Sequence, residues 1–114
     1  MYVRDRELET TSLVSVSTGN VQADENCSDG VISGNGKFVA FRSVSALLVG
    51  MDMNSAEDVF VRDLDGGTTE RVSISTGSVE AEFDCENPAI SFDGRYVAFD
   101  SSSTNLVGGD SNMK

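Results

Sequence analysis

The residues best placed to do chemistry are oxygen donors gathered in one short loop. In Gly50-Met51-Asp52-Met53-Asn54-Ser55-Ala56-Glu57-Asp58, three of them, Asp52, Asn54 and Asp58, stand at spacing i, i+2, i+6, with Glu57 alongside. Calcium takes roughly six to eight oxygens, often from flexible acidic loops of this kind. The central glycine and the distal bidentate glutamate of an EF-hand loop are missing, so only the opening of such a loop is matched. Asp110 and Asn112 repeat the first two donors. The competing reading is a polar turn whose Asp and Asn side chains cap backbone N–H groups. The expectation is therefore conditional: if a cofactor is used it is calcium, held by Asp52, Asn54 and Asp58 with Asp110 and Asn112 as a second copy, and otherwise there is none.

Other chemistry has less support. The chain contains no histidine, which removes the commonest general base. No G-x-S-x-G nucleophile elbow occurs. Two cysteines without histidine or a C-x-x-C pair do not make a zinc site. Arg4-Asp5 and Arg62-Asp63 end short apolar runs, and their Asp residues read first as turn initiators, with ligand binding as the second reading. The acidic stretches at Asp24-Glu25-Asn26 and residues 80–86 read as solvated loops. No enzyme is expected.

The elements that would position these groups come from a duplication. Tyr2-Val3-Arg4-Asp5 returns as Phe60-Val61-Arg62-Asp63, Ser17-Thr18-Gly19 as Ser75-Thr76-Gly77, Cys27 as Cys85, and Val39-Ala40-Phe41 as Val97-Ala98-Phe99. Leu48-Val49-Gly50 returns as Leu106-Val107-Gly108, again 58 residues on. About 26 of 56 compared positions are identical without a gap, far above chance. Repeat one spans residues 1–58 and repeat two residues 59–114. Because Cys27 and Cys85 occupy equivalent positions in successive units, they lie too far apart for a disulfide, and unpaired, partly buried thiols are expected.

Each unit reads as β-structure. Val59-Phe60-Val61-Arg62-Asp63 is a β-branched and aromatic run, Leu64-Asp65-Gly66-Gly67 a turn, and Arg71-Val72-Ser73-Ile74-Ser75 a second strand. Pro88 starts the next strand, where no ladder donor is lost. Asn35-Gly36 and Asp93-Gly94 are hairpin dipeptides that tolerate positive φ, and Arg95-Tyr96-Val97-Ala98-Phe99 follows the second. Four short strands per unit describe one propeller blade.

The stretch Pro88-Ala89-Ile90-Ser91-Phe92-Asp93-Gly94-Arg95-Tyr96-Val97-Ala98-Phe99, then Thr104-Asn105-Leu106-Val107, with Asp58-Val59-Phe60-Val61-Arg62-Asp63, resembles the TolB-type β-propeller repeat, a bacterial relative of the WD repeat. The resemblance covers essentially the whole chain. The copy from Gly30 to Phe41 departs from it, with Gly30 in place of proline and Gly34-Asn35-Gly36 in place of the acidic turn. The resemblance implies an all-β chain of propeller blades, four-stranded antiparallel meanders, with a periplasmic or extracellular bacterial setting. It places a complete blade at about residues 30–75 and a split blade formed by residues 88–100 with residues 1–17 of a neighbouring chain. The 114 residues are then a single propeller segment with two blades' worth of strands. Two blades leave unpaired edges, so self-association into a ring is expected, three chains being preferred to four.

Charge narrows the partners. A formal net charge of −11 argues against nucleic acid and against anionic membranes. No apolar run approaches a membrane span, and the first residues hold no signal-peptide core, so the compartment stays open. The functional expectation is a non-catalytic scaffold or a module binding protein or other ligands. The alternatives are a calcium-dependent carbohydrate or cell-surface binding module and a fragment of a larger propeller hydrolase.

Overall fold

A computed structural model describes residues 1–19, 27–43, 57–74 and 84–101. These hold eight strands and, among the described residues, no helix: β1 (Tyr2–Asp5), β2 (Thr10–Leu13), β3 (Cys27–Ile32), β4 (Phe38–Ser43), β5 (Asp58–Asp63), β6 (Thr68–Arg71), β7 (Cys85–Ile90) and β8 (Val97–Ser101). The chain is all-β. Strands β1 and β2 pair with each other, β3 to β6 form one four-stranded sheet in chain order, and β7 pairs with β8. Every pairing is antiparallel. The central sheet has the strand order expected for residues 30–75, but starts at Cys27. Phe41 lies opposite Phe60 and Ala40 opposite Val61.

Strands β4 and β5 carry consecutive apolar residues, so both of their faces need cover. One face meets β1–β2: Val14, Val39, Phe41 and Phe60 are buried together, with Met1, Val3, Cys27 and Leu64 around them. The Phe41 and Phe60 rings stack at 5.9 Å. Burying each ring contributes roughly 2–3 kcal/mol. The other face meets β7–β8, where Val59 packs on Cys85 beside Val72, Val97 and Phe99. Three sheets are thus stacked face to face, the four-stranded one in the middle.

Several local expectations need correction. The strand expected at residues 71–75 is instead Thr68–Arg71, because the turn closes at Gly67 (φ 69°) and pairs Thr68 with Asp63. Its would-be residue Ser73 instead turns its hydroxyl to Val59 and Asp58. Pro88 lies inside β7, not at its start. The register shifts between Glu86 and Ala89, and Asn87 takes φ 54°, so Pro88 sits in a bulge where no ladder N–H is needed. The following strand is Val97–Ser101, later than residues 95–99. In the hairpin dipeptides only Gly36 (φ 74°) and Gly94 (φ 77°) have positive φ. Asn35 and Asp93 instead accept bonds, from the hydroxyls of Ser33 and Ser91 and the backbone N–H of Lys37 and Arg95. The geometry is a turn closed by Gly36 N–H to Ser33 O, and by Gly94 N–H to Ser91 O, with the glycine as the left-handed residue.

Candidate functional site

The sheets part along β1, where β1–β2 lies against the central sheet. β1–β2 has two strands, so it covers only part of the four-stranded face. The uncovered part opens as a cleft of about 630 Å3 lined by Arg4, Asp5, Arg6, Thr10, Ile32, Gly36 and Arg62, among others. A second hollow of about 420 Å3 continues it between β1 and β3, against Gly30, Val31 and Val39. Three of the chain's eight Lys and Arg residues line the larger cleft, in a protein of net charge −11. Ile32 on its floor is 51% exposed although it ends a strand of the central sheet.

Arg62 and Arg4 show how position decides role. Arg62 is 8% exposed and donates to Ser17 O at 3.1 Å and Thr69 Oγ1 at 3.0 Å. Thr69 in turn donates to Val16 O, tying β6 to the segment after β2. Arg4 makes the equivalent bond to Thr11 Oγ1 at 3.0 Å but is exposed. Asp5 and Asp63 are turn initiators: Asp5 Oδ1 accepts from the N–H of Glu7 and Leu8, and Asp63 Oδ1 from those of Asp65 and Gly66.

Of the calcium candidates, Asp52, Asn54, Asp110 and Asn112 lie outside the described residues. Asp58 is fully buried at the start of β5 and accepts from Ser73 Oγ at 2.8 Å; that hydroxyl also accepts from Val59 N–H at 3.1 Å. Glu57 beside it binds Arg42. Among the described residues, no three His, Cys, Asp or Glu side chains gather as a metal site.

A charged node that motif reading did not single out joins the central sheet to β7. Arg42 Nε contacts Asp29 Oδ2 at 2.8 Å, and its Nη1 contacts Glu57 Oε2 at 2.7 Å and Glu86 Oε2 at 2.8 Å. Arg42 keeps a quarter of its side chain in solvent, so each pair contributes at most about 1 kcal/mol. The available signal was a break in the duplication, since position 100, equivalent to 42, holds Asp.

Neither cysteine is in a disulfide; Cys27 is half-buried and Cys85 buried. Burial pushes the Cys85 thiol above its ordinary value, and the nearby carboxylates of Asp58 and Asp84 push the same way, against hydrogen bonds from Ser101 and Ser73.

No family model, no curated protein and no solved structure matches this chain. Its own duplication is therefore the comparison at hand, and many bonds recur 58 residues apart. Met1 N donates to Ser15 Oγ as Val59 N does to Ser73 Oγ. Val14 N–H donates to Met1 O as Val72 N–H does to Val59 O. Bulges fall at Ser28/Val31 and Glu86/Ala89, with φ 57° at Asp29 and 54° at Asn87. By this equivalence β1–β2 corresponds to β5–β6, and β7–β8 to β3–β4.

Proposed function

We propose that this chain is a non-catalytic β-propeller-type scaffold, a module that holds other molecules instead of transforming them. The observation that carries the reading is the stack itself. Three antiparallel sheets lie face to face, and successive units repeat the same backbone and side-chain bonds. Propellers are built from four-stranded blades stacked in this manner about an axis. In that reading residues 30–75 are one blade, and residues 88–100 and 1–17 are the inner and outer halves of others. The likeness to TolB-type repeats adds support from the residues alone. Binding then occurs where the sheets part, at the cleft beside Arg4 and Arg62.

In a repeat scaffold, stability is a sum of unit and interface terms, so supplying a missing neighbour stabilises the whole. Two copies of the chain joined through an inserted Glu-Asp pair keep the 58-residue spacing, because Lys114 corresponds to Ala56 and Met1 to Val59. The fused protein is expected to unfold at higher urea concentration than the single chain, in one cooperative transition. Two independent units with the midpoint of the single chain would overturn the scaffold reading.

A further inference from the structure

We infer that the cleft is the seat of the β7–β8 hairpin of a second copy of this chain, which completes a four-stranded sheet with β1–β2. The inference rests on the scaffold reading and names the partner of the same site.

Four observations on the described residues lead to it. First, β8 pairs only with β7 and β1 only with β2, whereas their equivalents β4 and β5 pair with each other. Second, the faces are unequal. Phe60 is fully buried, and its equivalent Tyr2 is 68% exposed. Third, the turns of the two units are unequal. A Cβ at Gly94 would overlap the Phe38 ring, yet at Gly36 nothing lies within 4 Å. Tyr96, the equivalent of Phe38, is 64% exposed and covers no glycine among the described residues. Fourth, the cleft continues into the hollow between β1 and β3, beside Tyr2, Gly30, Val31 and Val39, where the inner half of a sheet adjoining β1–β2 would sit.

The β4–β5 register transfers directly to the seam. Phe41 opposite Phe60 becomes Phe99 opposite Tyr2 of the second copy, and Ala40 opposite Val61 becomes Ala98 opposite Val3. Tyr96 then lies over Gly36 as Phe38 lies over Gly94. Charges match as well. The Lys37–Asp65 ion pair, 3.8 Å within the central sheet, becomes Arg95 with Glu7. Arg42 facing Glu86 becomes Asp100 facing Ser28, a hydroxyl that accepts from Arg42 Nε and can donate to the carboxylate. A seam between unlike surfaces must close into a ring or extend as a filament. Three chains give six blades, within the usual range of about four to eight.

Light scattering on the 114-residue chain at micromolar concentration tests this. The expected particle is about threefold the 12.1 kDa chain mass. Gly36→Asn, which keeps a residue tolerant of positive φ but places a side chain under Tyr96, is expected to return the mass to one chain with the β-sheet circular dichroism intact. Gly67→Asn, at φ 69° and likewise open, controls for backbone strain and leaves the mass unchanged. In a Cys27→Ser, Cys85→Ala background, mixing Val3→Cys chains with Ala98→Cys chains is expected to yield an interchain disulfide. Mixing Val3→Cys with Asp100→Cys, two residues out of register, yields at least several-fold less. A 12.1 kDa particle, a dimer lacking the Val3–Ala98 crosslink, or a Gly36→Asn protein of unchanged mass would overturn the inference. If the fused two-copy protein is still stabilised, the failure lies with the second copy as partner and not with the scaffold.

Discussion

Removing the Ser73 hydroxyl should cost far more than one hydroxyl usually does. That oxygen accepts from Val59 N–H at 3.1 Å and donates to Asp58 Oδ1 at 2.8 Å. Val59, Asp58 and Ser73 are all fully buried. In Ser73→Ala the Val59 N–H loses that acceptor and the Asp58 carboxyl loses that donor. Each loss in the interior costs about 1–3 kcal/mol, so about 2–6 kcal/mol is expected for the pair. For a chain this long, unfolding entropy near the melting point converts 1 kcal/mol to about 4 °C, a fall of roughly 8–24 °C. The assay is thermal and urea unfolding of Ser73→Ala beside Ser15→Ala. Ser15 is the equivalent residue, but it receives a single bond from the half-buried Met1 ammonium. Ser15→Ala should cost less than about 1 kcal/mol. A Ser73→Ala loss below about 0.5 kcal/mol, or equal losses at both sites, would refute the reasoning that burial of the three groups sets the cost.

Two further outcomes follow from titrating groups. The Cys85 thiol is raised above its ordinary value of 9.0, so the folded protein binds that proton more tightly than the unfolded chain. The stability this gives is complete below pH 9.0 and is lost as pH rises through the folded value; Cys85→Ala should flatten the alkaline side of a melting-temperature profile, and a thiol reagent at pH 8 should modify Cys27 well before Cys85. The Asp93 carboxyl is held below its ordinary value by the Arg95 N–H first and the Ser91 hydroxyl second. Its contribution is present above pH 3.8 and is lost as pH falls through the folded value, so Asp93→Asn should lessen the acid sensitivity of melting between those limits; an unchanged acid limb would contradict it.

The parts of the fold written in local chemistry were legible in the sequence. The Asn35-Gly36 and Asp93-Gly94 turns, the Asp5 and Asp63 turn initiators and the 58-residue period all follow from short-range residue type. Strand limits were less legible where tertiary contacts decide them. Thr68 and Thr69 carry ordinary strand propensity, but their pairing is fixed by the turn at Gly67 and by bonds from Thr69 to Val16 and Thr18. Pro88 suggested a strand start because a bulge leaves no local mark other than Asn87. The departure at Gly34 becomes explicable only in three dimensions: the Phe92 ring lies on it and leaves no room for a Cβ, whereas a Cβ at Gly30 would have to displace only the flexible Met1 thioether. The cleft was not legible at all. Arg4 and Arg62 are the same residue in the same motif, and only the stacking of sheets buries one and exposes the other.

Amide hydrogen exchange at β8 tests the stacked-sheet scaffold most directly. Exchange rates of Val97–Ser101 are compared between the single chain, diluted below any association, and the two-copy fusion with the Glu-Asp junction. In the fusion, β8 of the first copy gains a strand on the edge that no described strand pairs, so its amides are expected to slow towards those of β4, the equivalent strand already paired on both edges. Unchanged exchange at Val97–Ser101 in the fusion, with β4 still protected, would contradict the account.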